Sequence, residues 1–375
     1  MEQEPEPGNL PEPMTRPPSA GASRDPAPEL RARPLKWLVT GAAGFIGSHL
    51  VQALLELDQT VTGLDNFTTG RPANLDEIRA RVAPERWGRF RMIAGDLAER
   101  RDCARACEGV EIVLHQAGLG SVPRSLADPA ASHRSNVTGF LNLLIAARAA
   151  GARRFIYASS SSVYGDAAGL PRLEDRVGRV LSPYAATKVM GETYAGVFGL
   201  AYQFPCIGLR YFNVFGPRQD PEGAYPAVIP LWIRSLLQDE PVFINGTGDT
   251  SRDFCFIDNV VHANLLAATT SDPAALDQVY NIALGGRTTL NELFALIQAA
   301  VRRRRPDLAQ REPVYRATRA GDVRHSLADI DKARRLLGYE PVCDLGRGLE
   351  ATLEWHLARG RAGPPPANQP PESRA

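Results

Sequence analysis

Along this 375-residue chain, short apolar runs alternate with stretches of helical periodicity. Leu35 to Thr40 reads as a buried strand, and helical spacing follows through Leu50, Leu54 and Leu57. Val61 to Leu64, Arg91 to Ala94, Glu111 to Leu114 and Phe155 to Ala158 repeat the strand pattern. Thr138 to Ala150 reads as a long helix. A second begins near Ser182, a capping residue followed by Pro183 at the first helical position. Strands alternating with helices predict parallel βαβ units and an α/β fold around a doubly wound parallel sheet. After Arg210 the alternation becomes irregular and Pro-rich through Pro217, Pro221, Pro226 and Pro230, before an amphipathic helix at Leu290 to Val301.

Residues 1 to 33 are rich in Pro, Glu and Ala with few large apolar groups, and residues 361 to 375 repeat that composition. Such segments bury too little surface to offset their ordering entropy, so both are expected to be disordered. With 43 basic and 42 acidic residues the net charge is +1. That balance argues against a partner held by bulk charge, whether nucleic acid or membrane surface. Four arginines at 302–305 accordingly read as a solvated helix end. No apolar stretch reaches membrane-spanning length and no leader pattern is present, which places the expected location in the cytoplasm. The cysteines Cys103, Cys107, Cys206, Cys255 and Cys343 form no Cys-x-x-Cys pair and have no histidine cluster beside them. They are read as reduced thiols, with no metal site.

The first strand runs directly into Gly41-Ala-Ala-Gly44-Phe-Ile-Gly47 and then a helix. In that context the glycines have distinct uses: Gly41 for a tight turn, Gly44 for close approach of a pyrophosphate, Gly47 for helix–strand packing. The helix N-terminus offers free N–H groups to phosphates. Asp65 ends the second strand, placed to accept hydrogen bonds from ribose hydroxyls and to repel a 2′-phosphate. The cofactor read from this Rossmann-type pattern is NAD rather than NADP, and Arg71 is the one nearby cation that could reverse the choice. Asp96 closes the third strand, where it could contact adenine. His115 reads as a packed strand-end histidine, and Asn136 either reaches the cofactor side or caps backbone.

Tyr184 and Lys188 stand four apart on the predicted helix and so share a face. A tyrosine ordinarily ionises near pH ~10. The lysine charge and an oxidised nicotinamide are expected to lower that value and make the phenol a general base.

The glycine loop, Asp65, Asp96, Tyr184, Lys188 and Tyr211-Phe-Asn213 together resemble the extended short-chain dehydrogenase/reductase family of nucleotide-sugar enzymes, over roughly Leu35 to Ala358. Gly120-Ser-Val-Pro-Arg-Ser125, Arg210 to Gly216, Gly248 to Phe256 and Gly321 to Ser326 are closer still to bacterial UDP-N-acetylglucosamine 4-epimerases of surface-polysaccharide pathways. The resemblance implies a dinucleotide-binding domain at 34–212, with a return at 254–285. It implies a smaller C-terminal sugar-nucleotide lobe over the rest of 213–360. It also implies cofactor contacts from Phe45, Ile46, Asn66, Gly70, Leu97, Gln116, Ala117, Ser159, Tyr211 and Val214. Ser160 is the implied third catalytic group.

Relatives that eliminate water or carbon dioxide carry acidic residues at the two positions after Ser160. Here these are Ser161 and Ser162, weak acid–base groups at neutral pH. What the resemblance leaves is a hydride removed from C4 of a UDP-sugar and then returned: 4-epimerisation through a ketone. It further implies substrate contacts from Ser121, Arg124, Ser161, Ala227, Val228 and Asn245. Asn213 is assigned to the diphosphate, Arg252 and Arg319 to its clamping, and Asp322 to ribose. Trp232 and Phe243 are either ligand contacts or core aromatics. Ser326 stands where galactose-type relatives carry a tyrosine, leaving room for an acetamido group, so UDP-GlcNAc and UDP-GalNAc are the expected substrates. UDP-glucose or UDP-N-acetylglucosaminuronate, and a non-catalytic NAD-binding sensor, are the alternatives. A homodimer through the Thr138–Ala150 helix and the helix bearing Tyr184 is implied as well.

Overall fold

Seven parallel strands make the centre of the computed structural model, which describes residues 24–223, 226–318 and 324–362. They are β1 (Lys36–Thr40), β2 (Thr60–Asp65), β3 (Phe90–Ala94), β4 (Ile112–His115), β5 (Arg154–Ser160), β6 (Cys206–Tyr211) and β7 (Gln278–Ile282). The spatial order is β7-β6-β5-β4-β1-β2-β3, every neighbour parallel. The doubly wound sheet expected from the sequence is therefore present. The order reverses between β1 and β4, which opens a crevice at their carboxyl ends, the usual ligand position in such sheets.

Both faces of the sheet are covered, which is why its strands read as continuous apolar runs. Trp37 and Val39 of β1 enter one core with the Phe45–Glu56 and Ile257–Thr269 helices. Leu38, between them, enters the opposite core with the Arg100–Cys107, Gly139–Ala149 and Pro183–Tyr202 helices. The expected helix from Thr138 is preceded by a wider π turn at Arg134–Thr138. The chain returns to the sheet through the Ile257–Thr269 helix and β7, which pairs with β6.

One expectation needs correction at its edge. Residues 24–33 are ordered, with a helix at Ala27–Ala32 whose Leu30 is buried. The fully buried Gln59 amide holds it, donating to Leu30 O at 2.8 Å while accepting from Trp37 Nε1 at 3.0 Å. Arg24 reaches across to Thr269 O at 2.9 Å. A single well-placed leucine, worth about 2 kcal/mol when buried, and these long-range bonds override the polar composition. The last helix, Leu345–Ala362, likewise runs just beyond residue 360.

Arg303 and Arg304 form ion pairs with Glu350, Arg304 also with Glu354, and Arg305 with Asp307. The arginine run is thus a solvated, paired helix end. All five cysteines are buried free thiols, and burial pushes Cys103 and Cys107 up to about 12. Among the described residues no helix is long and apolar enough to cross a membrane. Among the same residues no group of three or more His, Cys, Asp or Glu is placed to hold a metal ion.

Candidate active site

A cleft of about 540 Å³ lies over the carboxyl ends of the strands. Its walls include Gly41, Gly44, Phe45, Ile46, Gly47, Asp65, Asn66, Asp96, Leu97, Gln116, Ala117, Ser159, Ser160, Tyr184, Lys188, Tyr211 and Val214. Six of the seven strand ends and the Pro183–Tyr202 helix supply these residues, all singled out in the sequence.

The glycine turn fits a dinucleotide. Gly41 has φ +68°, and a Cβ there would lie 2.9 Å from Ala117 N. A Cβ on Gly47 would lie 2.0 Å from Gly41 O. Side chains at either position would fill the turn or force it open. No side chain caps the first turn of the Phe45–Glu56 helix, which leaves backbone N–H groups for a diphosphate. The Asp65 carboxylate accepts from Phe67 N–H at 2.8 Å and Ala43 N–H at 3.0 Å. Burial raises its pKa, against the pull of those two bonds. Gly70 does not line the cleft but packs against this carboxylate, which a Cβ would approach to 2.7 Å.

Of the two readings of Asn136, the structure shows the backbone one, a loop tie. Its amide donates to Leu119 O at 3.0 Å and Thr187 Oγ1 at 3.1 Å, and its carbonyl accepts from Leu119 N–H at 2.7 Å. His115 is the packed histidine expected: buried, bonded to Thr40 Oγ1 at 2.8 Å, and held neutral by burial with a pKa near 3.

Ser182 caps the catalytic helix by accepting from Ala185 N–H at 3.1 Å. One turn in, Lys188 Nζ lies 5.8 Å from the Tyr184 ring centre and donates to Ala158 O on β5 at 2.9 Å. Ser160, at the end of β5, lines the same cleft wall as Tyr184, and its hydroxyl accepts from Ser162 N–H at 3.2 Å. Tyr184 and Lys188 keep part of their surface open to the cleft but are densely surrounded by protein.

The electrostatics differ from the sequence reading. Burial pushes the phenol above its ordinary range, and Ser160 pulls it only partly back. Burial also brings Lys188 down to about 8, against support from Glu192. Within the protein itself desolvation outweighs the groups that favour the phenolate. The remaining positive group in the argument is the nicotinamide ring.

Sequence reasoning missed the layer beneath. Glu192, one turn past Lys188, forms a two-pronged pair with Arg210 of β6 at 2.9 and 2.8 Å and accepts from Ser159 Oγ. Arg210 continues to the Tyr164 hydroxyl at 3.1 Å. Asn264 joins Tyr211 and Gln116 in a second cluster at 2.9 to 3.1 Å under the cleft floor. Arg134 also lines the cleft, paired with Glu99 at 3.2 Å. The Ser182–Glu192 stretch held the one available signal, a carboxylate at i+4 from the lysine.

Among the described residues, the expected substrate residues outside Ser160 do not line this cleft. Asn213, Arg252 and Ser326 are gathered around Asp253 nonetheless. The Asn213 amide donates to Asp253 O at 3.0 Å, and Ser326 N–H donates to Ser251 O at 3.0 Å. The buried Asp253 carboxylate accepts from Leu284, Gly285 and Ala328 N–H at 3.0 to 3.3 Å, while burial raises its pKa to about 7.

Ser121 caps the Val122–Ala127 helix by accepting from Arg124 N–H. Ser161 starts the turn after β5. Ala227 and Val228 begin the Val228–Leu237 helix. Trp232, within it, is core: it is buried edge-on to Phe294 at 6.1 Å. Phe243 is exposed under the Arg316 guanidinium, on the short strand that also carries Asn245. Arg319 and Asp322 lie outside the described residues.

The NAD dependent epimerase/dehydratase family matches residues 37–283. A UDP-glucose 4-epimerase of Mycolicibacterium smegmatis is 37% identical over 323 residues, 86% of this chain and 98% of that protein. The structure of a UDP-N-acetylglucosamine 4-epimerase from Methanobrevibacter ruminantium, in complex with UDP-N-acetylmuramic acid, matches with TM-score 0.79 and 35% identity. It covers 87% of this chain and 99% of that one. A UDP-glucuronic acid 4-epimerase from Bacillus cereus, in complex with UDP-glucuronic acid and NAD, matches with TM-score 0.76 and 31% identity, covering 87% and 100%. This chain is thus an NAD-dependent enzyme that belongs to the NAD dependent epimerase/dehydratase family, and within it is similar to the UDP-sugar 4-epimerases.

Proposed function

We propose that this UDP-sugar 4-epimerase acts on UDP-N-acetylhexosamines, interconverting UDP-GlcNAc and UDP-GalNAc for polysaccharide synthesis in the cytoplasm. The observation that carries the chemistry is the joint placement of Ser160, Tyr184 and Lys188 on the wall of a cleft with a dinucleotide cradle. In the proposed reaction Tyr184 removes the proton of the C4 hydroxyl, and Ser160 holds the same oxygen through its hydroxyl. NAD, which the glycine turn and Asp65 would hold, would supply when bound the hydride acceptor and donor for C4. Lys188, fixed by Ala158 O, keeps positive charge beside the phenol. Ser161 and Ser162 offer no strong acid or base for elimination.

In this reading residues 34–212 with the 254–285 return hold the dinucleotide, and the remainder of 213–360 holds the UDP-sugar. The N-acetyl preference rests on Ser326, a small residue whose backbone N–H is held by Ser251 O, with Ser251 also paired to His325. Product analysis with UDP-GlcNAc, UDP-glucose, UDP-glucuronate and UDP-GlcNAcA tests it. Fastest 4-epimer formation from UDP-GlcNAc supports the proposal; fastest formation from a uronate or plain hexose replaces the substrate while keeping the chemistry.

A homodimer is the assembly we propose. Met190, Tyr194 and Val197 expose apolar surface at helical spacing on the Pro183–Tyr202 helix, and Ile145 does so on Gly139–Ala149. Light scattering on the purified protein, with Val197→Glu as the disrupting variant, reads the assembly directly.

A further inference from the structure

Arg71 is the cation closest in sequence to the carboxylate that ends β2, and the structure gives it a partner. Its guanidinium pairs with Asp220, 149 residues away. The backbone fixes where this pair sits. Arg71 N–H donates to Ala43 O at 2.9 Å, and Ala43 N–H donates to Asp65 Oδ2 at 3.0 Å. One residue, Ala43, therefore bridges the arginine's backbone and the ribose-facing carboxylate.

Asp220 is itself held in place. Its other oxygen accepts from Glu222 N–H at 2.9 Å. Gln219 donates to O of the cleft-lining Val214 at 3.0 Å. Arg218, its side chain buried, pairs with Glu77 at 3.1 Å. Two cation–carboxylate contacts thus tie the 218–220 stretch to the Pro72–Arg81 helix and the residue before it, which follow β2.

An arginine at this place has the fork geometry to grip a phosphate on the adenosine ribose. Here that fork is taken up by a carboxylate of the same chain. We propose that Asp220 is a cofactor-specificity residue: by holding Arg71 it withholds the cation that a 2′-phosphate would need, and so keeps the site selective for NAD. The proposal rests on the cleft being the dinucleotide site. Selectivity then has two layers, repulsion by Asp65 and sequestration by Asp220. The pair is partly solvent-exposed, about 30% for each side chain, so it contributes little to stability and its removal leaves the fold intact.

The test uses protein purified with its bound dinucleotide. Wild type, Asp220→Asn, Arg71→Gln and the double variant are each incubated with excess NADP and desalted. The bound NADP and NAD are then released and quantified by chromatography. The proposal expects Asp220→Asn to raise the NADP/NAD ratio about tenfold over wild type, as one charge-assisted phosphate contact would. The double variant returns to the wild-type ratio, and Arg71→Gln alone leaves it unchanged. A ratio in Asp220→Asn within twofold of wild type, or a gain that survives in the double variant, overturns it. So does a fall in the ratio for Arg71→Gln alone, because that shows an arginine already free. If the wild-type protein yields no dinucleotide at all, the cofactor reading of the cleft fails first and takes this proposal with it.

Discussion

Glu192 and Arg210 meet through two nearly parallel hydrogen bonds of 2.8 and 2.9 Å, with their side chains only 13% and 4% exposed. The pair joins the helix bearing Tyr184 and Lys188 to β6. Removing one partner of such a pair strands the other charge, at a cost of about 3–5 kcal/mol. Glu192→Gln is expected to lose about 3 kcal/mol in urea unfolding. Glu192 also supports the charge on Lys188, so the alkaline limb of the kcat profile should move to lower pH in this variant.

Tyr184→Phe keeps the ring that lines the cleft and removes the oxygen proposed to take the proton. Turnover is expected to fall by about 10²–10⁴, while the variant still carries NAD. Chromatography of products alongside release of the bound dinucleotide separates the two effects. Loss of the dinucleotide as well would show that the hydroxyl serves binding rather than proton transfer.

Burial holds Lys188 near 8, below its ordinary value of 10.5. At neutral pH the amine is charged in both folded and unfolded chains, and the folded state bears the desolvation cost. Between about pH 8 and 10.5 the unfolded chain binds a proton that the folded chain has released. The contribution of this group to stability therefore rises with pH across that window. Urea midpoints measured at pH 8 and pH 10 should show a more favourable change in wild type than in Lys188→Met.

Ser326→Tyr is expected to reduce turnover of UDP-GlcNAc by about tenfold more than that of UDP-glucose, since added bulk discriminates against the larger C2 substituent. Equal reductions would remove Ser326 as the selector.

Gly47→Ala places a Cβ 2.0 Å from Gly41 O. The turn must open, at a cost of at least about 1–3 kcal/mol. Purified protein should carry little or no dinucleotide, and its melting temperature should fall.

The sheet and the glycine turn were legible because each is written in contiguous residues. Leu35 to Thr40 and the three glycines after it need no distant partner to be recognised. Tyr184 and Lys188 were legible for the same reason, lying one helical turn apart. Arg210, Asn264 and Asp220 were not, because their roles arise from partners 18, 53 and 149 residues away. The upward push of burial on the Tyr184 phenol was not legible either, because spacing reports the neighbouring charge but not the desolvation around it. The choice left open for Trp232 was decidable from the sequence: Ile229, Trp232, Ile233 and Leu236 form one buried helical stripe. The helix at Ala27–Ala32 had no such signal, since one leucine in a polar segment means nothing until Gln59 is seen beneath it.

Asp253 is where three separate passages of the chain converge: its carboxylate takes N–H groups from 284–285 and from 328, and its carbonyl takes the Asn213 amide. A sugar nucleotide docking beside Asn213 would meet a frame assembled during folding. The entropy lost in fixing that frame is then charged once, at synthesis, and not again in every catalytic cycle.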